Sequence, residues 1–302
     1  MKLVTFMANG EARFGIATVK GIVDVIAAAE RHPELAGVPH EVHQAIEGGQ
    51  EAVEALERLL QAVERDALSL SAVLLEEESL SFEPCVTRPN KIVCVGLNYR
   101  KHAEETNAAI PSVPILFNKF NNALAGHRHD IPLPKVSSEV DYEAELAIVI
   151  GKTAKNVDKA NALDYIFGYC CANDLSARDL QTRTPQWMLG KTCDKFAPLG
   201  PYLVTADEVG DPNALEIRCS VNGETRQSSN TSDMIFRCDE IVSYISQHMT
   251  LVPGDIILTG TPEGVVLGLP EAQRVYLKAG DVVTVEIEKL GALTNRMAAE
   301  TE

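Results

Sequence analysis

Three acidic residues at alternate positions lead into an apolar run in the segment VDYEAELAIVIG, residues 140–151. Because side chains alternate between the two faces of a strand, Asp141, Glu143 and Glu145 would share one face. Clustered carboxylates repel one another, and apolar surroundings raise their pKa values further. A divalent cation relieves that repulsion, since Mg²⁺, Mn²⁺ and Ca²⁺ prefer oxygen ligands. The spacing leaves two interpretations open: a metal site, or a solvated strand end that faces lysine or arginine.

A further acid, Asp174, follows the apolar run of GYCCANDLSARDLQ. An aspartate there could cap the amino end of a helix, or it could supply a third carboxylate to the same ion. In a helical turn Asp174, Arg178 and Gln181 would lie on one face, at positions i, i+4 and i+7. The segment therefore adds one candidate ligand and two candidate polar neighbours.

A histidine and a glutamate stand one helical turn apart in GLNYRKHAEETN, as His102 and Glu105. At this spacing a carboxylate can orient an imidazole and make it a better base. Such pairs also arise by chance on helices. The pair follows directly on the strand-to-loop switch VCVGLN, and loops of this kind often carry function. We therefore treat it as a candidate acid–base pair.

Two further polar side chains stand beside glycines that suit tight loops. Lys191 follows Gly190 in GKTCDKFAPLGP, where a lysine could also be simply solvated. Thr261 lies between Gly260 and Pro262, where its NH and OH groups could bond an anion. Neither GxGxxG nor GxxxxGK[ST] occurs, which argues against a nucleotide cofactor. No serine stands in a GxSxG setting either.

The overall charge narrows the class of partner. The chain of 302 residues has 27 Lys and Arg against 43 Asp and Glu, a net charge of −16. This balance argues against nucleic acid or an anionic membrane as the partner, and no apolar run is long enough for a membrane span. It leaves an anionic small substrate open, because a metal or lysine reverses the field locally. The seven cysteines form no CxxC pair, which favours free thiols in a reducing cytoplasm.

The pattern along the chain predicts an α+β, β-rich protein in two parts. Residues 1–80 read as a small N-terminal α+β domain, with strands in KLVTFM and RFGIATV and a helix in EAVEALERLLQAVERD. Prolines 84 and 89 mark a connector, and a larger catalytic domain spans residues 89–302. That part contains a hairpin turning at Asn222-Gly223 and helices at 99–105, 159–167 and 239–249. Regular βαβα alternation is missing.

Seven motifs taken in order resemble the fumarylacetoacetate hydrolase family, over roughly residues 89–295. They are VGLNYRKHAEE, PILFNKF, IPLP, VDYEAELAIVIG, ANDLSARDLQ, GKTCDKFAPLGP and PGDIILTGTPEGV. The resemblance implies a mixed β-sandwich roll assembled as a homodimer. It implies Mg²⁺ or Mn²⁺ held by Glu143, Glu145 and Asp174, with Asp141 a neighbour of the ion and not a ligand.

The same resemblance implies roles for the other candidates. His102 and Glu105 match the acid–base dyad of the family, and Lys191 matches a catalytic lysine that contacts substrate oxygens. Gln181 and Thr261 match substrate-binding positions, with Arg178 supporting them. One departure is Phe120: the family commonly has Lys-Pro where this chain has Lys119-Phe120. Phe120 releases the backbone that proline would restrain, so the rigidity of this loop is left open.

The implied activity is metal-dependent hydrolysis of a C–C bond in an acylpyruvate or fumarylpyruvate-like 1,3-dicarbonyl acid, releasing pyruvate or a related 2-oxo acid. Two alternatives use the same metal-enolate chemistry: an oxaloacetate-type decarboxylase and a 2-hydroxymuconate-type isomerase. The expected partner is thus a small 2-oxo acid. A non-catalytic binding protein is a further alternative, but binding alone has no need of the base that His102 and Glu105 would form.

Overall fold

The computed structural model describes residues 1–301, except for the side chain of Ala67. The α-helices are α1 (Val25–Arg31), α2 (Val42–Arg65), α3 (Ala67–Val73), α4 (Arg100–Glu105), α5 (Arg178–Gln181), α6 (Met188–Lys191), α7 (Ala206–Val209) and α8 (Cys238–His248). Short 3-10 helices cover Glu77–Ser79, Asn121–Ala123, Lys159–Tyr165, Thr231–Asp233, Val266–Gly268 and Glu271–Gln273.

Strands dominate the rest of the described chain. They are β1 (Lys2–Ala8), β2 (Glu11–Thr18), β3 (Gly21–Asp24), β4 (Leu74–Leu75), β5 (Ser81–Phe82), β6 (Ile92–Gly96), β7 (Ile115–Lys119), β8 (Leu124–Ala125), β9 (Asp130–Leu133), β10 (Val140–Asp141), β11 (Ala144–Ile150), β12 (Ile166–Asn173), β13 (Ser176–Ala177), β14 (Ala197–Thr205), β15 (Glu216–Val221), β16 (Glu224–Asn230), β17 (Ile256–Leu258), β18 (Val282–Ile287) and β19 (Gly291–Ala299). The fold is α+β and β-rich, as the sequence predicts.

The strands form two large open sheets and one short pair. A 12-stranded sheet runs in the order β4-β3-β2-β1-β14-β12-β11-β17-β6-β7, with β5 added at β1 and β8 at β14. A 5-stranded sheet runs in the order β16-β15-β18-β19-β9, and β10 pairs with β13 alone. Parallel and antiparallel pairs are mixed, since β17 is parallel to β6 but antiparallel to β11.

Strand β11 is buried on both faces, which explains its continuous apolar sequence. Leu146 and Ile148 belong to the core that also contains Ile217 and Val285 of the smaller sheet. The alternate residues Ala147 and Val149 belong to a second core, with Leu56 and Leu59 of α2. Burying a side chain of this size stabilises the fold by about 1.5–3 kcal/mol. The strand is therefore a firm support for the acids at its amino end.

The first 80 residues join the same large sheet as the rest of the chain. Strand β1 pairs with β14 through Lys2↔Val204 and Leu3↔Leu203. The predicted amphipathic helix lies within α2, whose run is interrupted at Gly49 with φ 54° and ψ −133°. The division of the chain into domains of residues 1–80 and 89–302 remains a prediction.

Local predictions in the larger part are mostly confirmed. The hairpin turns at Asn222 and Gly223, both with positive φ. The helix expected over residues 159–167 is wrong in kind and length: a 3-10 helix covers Lys159–Tyr165, and β12 begins at Ile166. The run IFGYCCAN is β-branched and aromatic at its start, so sheet pairing takes precedence there. Among residues 1–301, no helix combines the length and apolar character of a membrane span.

Candidate active site

Three of the predicted acids converge in the interior of the protein. Glu143, Glu145 and Asp174 each offer a carboxylate oxygen within 4.8 Å of the other two. Their exposed fractions are 5%, 2% and 0%. The described strand end is therefore not solvated, and the carboxylates point toward a common centre.

Sheet pairing brings these acids together. Strands β11 and β12 pair with Ala144 opposite Asn173, so the residues flanking that pair lie side by side. The amide of Glu143 donates to Asn173 Oδ1 at 3.0 Å, and the amide of Asp174 donates to the carbonyl of Glu143 at 2.9 Å. Glu145 lies within β11, and the amide of Gly260 donates to its Oε2 at 2.7 Å.

Three cationic side chains are buried against the acids. Lys191 Nζ lies 2.6 Å from Glu143 and 2.9 Å from Asp174. Arg178 contacts Glu143 at 2.7 Å, and Lys119 contacts Asp174 at 2.6 Å. The acids thus face lysine and arginine as one sequence interpretation proposed, but in a buried cluster and not at a solvated strand end.

The acids differ in how well their charges are compensated. Burial disfavours the charged form of Glu143, but Arg178 and Lys191 outweigh it and hold its pKa well below the usual range. Burial, with Asp174 and Glu143 nearby, raises the pKa of Glu145 well above its usual value. No ion pair joins Glu145 to a cation within residues 1–301. Glu145 is the carboxylate that most needs a cation.

The donor set fits a divalent metal. An ionised carboxylate offers about four lone-pair sites, so the bonds to Lys191, Arg178 and Lys119 leave acceptor capacity on Glu143 and Asp174. The buried charged groups of this cluster comprise four carboxylates and three cations, so one negative charge is uncompensated when all of them are ionised. They are Asp141, Glu143, Glu145, Asp174, Lys119, Arg178 and Lys191. An all-oxygen site of this kind suits Mg²⁺ or Mn²⁺.

Asp141 differs from the other acids because its oxygens are already engaged. Its carboxylate accepts from the amides of Val266 at 2.9 Å and Leu267 at 3.0 Å. Arg178 Nε donates to it at 2.9 Å. Asp141 therefore anchors the 266–267 loop and Arg178 beside the site, which agrees with its expected place as a neighbour.

The predicted histidine–glutamate pair is formed on α4. His102 Nδ1 lies 2.8 Å from Glu105 Oε1, and Glu105 Oε2 accepts from the amide of Gly264 at 2.9 Å. An ionised carboxylate only accepts, so the contact assigns the hydrogen of a neutral imidazole to Nδ1 and leaves Nε2 as the base. A Cβ on Gly268 would lie 2.4 Å from the Glu105 carboxyl carbon, so this approach requires glycine there.

A cavity of about 200 Å³ joins the dyad to the acid cluster. Its wall includes the remaining predicted residues Arg178, Gln181, Lys191 and Thr261. Arg178 Nη1 donates to Gln181 Oε1 at 2.9 Å, which orients that amide. The structure therefore brings the predicted site residues to one cavity wall, except for Asp174, which contacts Lys191 at 2.9 Å, and Glu105, which contacts His102 at 2.8 Å. A larger surface cleft of about 520 Å³, lined by residues 90–93, 116–121 and 249, contains no carboxylate.

Sequence reasoning missed three side chains that shape this site. Lys119 is 2% exposed, and its Nζ donates to the carbonyls of Leu175, Lys191 and Phe196 at 2.6–3.0 Å. Gln227 donates to Thr261 Oγ1 at 2.9 Å and so holds that hydroxyl in place. Trp187 lines the cavity directly. The only advance signal was Lys119 at a position where the family also has lysine.

The structure shows how the loop at Lys119-Phe120 is held without the proline common in the family. Phe120 is 50% exposed, and its φ of −118° lies outside the range of about −65 ± 15° that proline allows. The loop is held instead by the buried Lys119 ammonium.

Comparisons with known proteins find a matching family model and similar curated proteins. A family model described as "Fumarylacetoacetate (FAA) hydrolase C-terminal" matches residues 91–298. A mitochondrial oxaloacetate tautomerase of Xenopus laevis is 42% identical over 301 residues, covering 98% of this chain and 89% of the relative. Another, from Rattus norvegicus, is 47% identical over 237 residues, covering 78% of this chain and 75% of the relative.

Among solved structures, a maleylpyruvate hydrolase from Sphingobium sp. SYK-6, in complex with manganese(II) and pyruvate, aligns with a TM-score of 0.76. The two chains are 31% identical, and the alignment covers 100% of each.

Proposed function

The chain belongs to the fumarylacetoacetate hydrolase family, and on that premise we propose that it is an enzyme that interconverts the enol and keto forms of a small 2-oxo dicarboxylic acid of the oxaloacetate type. The observation that carries this proposal is the size and content of the cavity. About 200 Å³ is below the range of about 300–1,000 Å³ typical for drug-sized ligands, and the wall contains His102 of the acid–base dyad together with Glu143 and Glu145 of the acid cluster. Such a site suits proton transfer on a compact acid.

Glu143, Glu145 and Asp174 would hold Mg²⁺ or Mn²⁺. Once bound, the ion would polarise the 2-oxo group as a Lewis acid and offset the negative charge of the acid cluster.

The side chains of the protein would bind and orient the substrate. Lys191 is buried, and the attraction of Asp174 and Glu143 outweighs its burial and raises its pKa to about 12, so it stays charged. Its ammonium has three hydrogens, and two of them reach Glu143 and Asp174. The third would stabilise charge that develops on the substrate oxygen. The amide of Gln181 and the hydroxyl of Thr261 would orient the carboxylate of the acid.

His102 would move the proton. In the keto-to-enol direction its Nε2 takes a proton from the carbon next to the oxo group, and the electron pair of that C–H bond forms the C=C bond. The imidazolium is stabilised by Glu105 at 2.8 Å. The π electron pair of the C=O bond moves onto the oxo oxygen, and the His102 imidazolium returns its proton to that oxygen directly or through a water molecule, which restores the neutral imidazole. The reverse sequence gives the keto form.

The C–C bond hydrolase expected from the sequence is the second candidate. The observation in its favour is the likeness to the maleylpyruvate hydrolase in complex with manganese(II) and pyruvate. There His102 would activate a water molecule, which adds to the remote carbonyl before the C–C bond breaks. The relatives from Xenopus laevis and Rattus norvegicus are named oxaloacetate tautomerases, and their names favour the first candidate.

The deciding experiment uses purified chain stripped with chelator and reloaded with Mg²⁺ or Mn²⁺. The decay of enol-oxaloacetate absorbance measures tautomerisation, and pyruvate release from an acylpyruvate measures hydrolysis. We expect metal-dependent acceleration of the first reaction, lost in His102→Gln. Pyruvate release from acylpyruvate with no effect on enol decay would establish the second candidate instead. Full activity after chelation would refute the proposed metal dependence.

Assembly and location are part of the same proposal. We expect a homodimer, which light scattering coupled to gel filtration measures. The seven cysteines are unpaired, six of them buried, and this fits a reducing compartment such as the cytoplasm or the mitochondrial matrix. The relatives are named as mitochondrial proteins, so fractionation of the host cell is the relevant test.

A further inference from the structure

Trp187 is the only tryptophan of the chain, and it forms part of the wall of the candidate active site. It stands immediately before α6, the short helix that ends at Lys191. The backbone of α6 packs tightly at Gly190, because a Cβ there would lie 2.5 Å from both the Ala177 carbonyl oxygen and the Gln181 amide nitrogen. Trp187 therefore lies next to the tightly packed backbone of α5 and α6 that carries Gln181 and Lys191.

The indole ring is held from two sides. A Cβ on Gly96 would lie 2.5 Å from Trp187 Cζ3 and 2.9 Å from Cη2, so the ring rests directly on the backbone at the end of β6. On another side the ring meets Phe117, with centroids 5.4 Å apart and planes at 68°. An edge-to-face pair of this kind is stabilising. The ring has no room to retreat from the cavity toward the sheet.

The wall of the cavity combines charged and apolar side chains. Its charges come from Glu143, Glu145, Arg178 and Lys191, and its apolar members are Val95, Leu97, Ala108, Phe117, Trp187 and Leu267. Phe117 connects the two groups, because Lys191 Nζ lies 4.9 Å from its ring centroid and Trp187 packs against the same ring. A 2-oxo acid that contacts Lys191 therefore lies beside Phe117, and a long chain attached beyond the oxo group meets Trp187 in this small cavity.

We propose that Trp187 sets the upper size limit of the substrate, admitting short 2-oxo acids and excluding those with a long chain beyond the oxo group. This inference rests on the proposed function, because it assumes that a 2-oxo acid binds beside Lys191. It identifies the substrate class as compact acids of pyruvate and oxaloacetate size.

The test measures binding and turnover on Mn²⁺-loaded protein. Isothermal titration compares pyruvate with 2-oxooctanoate, which is linear and longer by several methylenes. Since one methylene too many can cost about tenfold or more in a closed pocket, wild type should prefer pyruvate by at least about tenfold. Trp187→Ala should remove most of that preference by tightening 2-oxooctanoate, and Trp187→Phe should lie between the two.

Gly96→Ala provides the opposite perturbation. Its new methyl would push the ring into the cavity, so we expect weaker binding of both acids with the wild-type fold retained. Because Trp187 is the only tryptophan, a shift of its fluorescence emission in this variant reports movement of this wall alone. Addition of pyruvate to wild type should also change that emission.

The outcomes separate the two proposals. If wild type binds neither acid, the proposed function fails and this inference fails with it. If wild type binds pyruvate but the pyruvate preference is the same in wild type, Trp187→Ala and Trp187→Phe, the size limit alone is refuted. A uniform loss of affinity for both acids in Trp187→Ala would show that the ring only supports the fold near Lys191. Should Trp187→Ala not fold, Trp187→Phe and Gly96→Ala decide the question.

Discussion

Replacing Glu145 with glutamine tests the electrostatic account of the acid cluster most directly. Glutamine keeps the size of the side chain and an oxygen to accept from the amide of Gly260, but it carries no charge. Glu145 is 2% exposed and has no cation partner within residues 1–301, unlike Glu143 and Asp174. Two effects of opposite sign follow: without metal the variant is more stable than wild type, and with metal it is less stable.

The metal-free effect has a defined pH dependence. Burial raises the pKa of Glu145 in the folded protein well above its ordinary value of 4.5. A raised carboxyl pKa means that the folded state favours the protonated form. Wild-type stability therefore falls as pH rises from about 4.5 through the folded pKa, because an uncompensated charge must form in the interior. The glutamine variant is insensitive to this change, so its advantage should grow between pH 5 and pH 8.

The metal effect can be worked out from linkage. At a free Mn²⁺ concentration of 100 times the dissociation constant, binding stabilises the folded state by about 2.7 kcal/mol. For a chain of this size each kcal/mol raises the melting temperature by about 2 °C, so wild type should gain about 5 °C. Glu145→Gln lacks the carboxylate ligand that has no cation partner. Its melting temperature should therefore rise by about 1 °C or less at the same Mn²⁺ concentration.

Melting by calorimetry with and without Mn²⁺, at pH 5 and pH 8, measures both effects. Asp174→Asn is the matched control, because it strips a partner from the buried Lys119 and Lys191. That variant should lose the metal effect as well, but it should destabilise the metal-free protein by about 3–5 kcal/mol. If Glu145→Gln melted below wild type without metal, or kept a 5 °C gain with Mn²⁺, the reasoning would be refuted.

Three further outcomes are expected. His102→Gln should slow turnover by about 10²–10⁴-fold while the Mn²⁺-induced rise in melting temperature is kept, since the dyad is not a ligand; a lost rise would place His102 at the ion. Lys119→Met removes three bonds to backbone carbonyls and one of the two cations paired with Asp174, and urea titration should show a loss of about 3–5 kcal/mol; a loss below 1 kcal/mol would contradict this anchoring role. Ile148→Ala in the fully buried β11 should cost about 2–5 kcal/mol, measured in the same way, with the Mn²⁺ effect unchanged.

Local sequence patterns determined much of the fold. The continuous apolar run of residues 146–150 is typical of a strand buried on both faces, and β11 has that environment. The Asn222-Gly223 hairpin and the helix that carries His102 and Glu105 follow from short-range rules of the same kind. The helix expected over 159–167 failed where sheet pairing with β11 took precedence over local preference.

The predicted site residues were also reached from sequence, through motif order and through spacing within single elements. What sequence could not provide was the pairing of charges. Arg178 and Lys191 are distant from Glu143 along the chain, and no periodicity connects them to it. Only the packed structure shows that these cations compensate Glu143 and Asp174 and leave Glu145 without one.

The size of the cavity was likewise decided by the tertiary structure. Trp187 lies in an exposed stretch between α5 and α6 that has no helical or strand pattern, and Gly96 ends a strand on the far side of the pocket. Their contact depends on long-range packing, because it joins segments that meet only when the sheet and the α5–α6 turn are assembled. Sequence alone determined which chemical groups the site contains; the tertiary structure decided which charges remain uncompensated and how large a substrate fits, since both depend on contacts between distant segments.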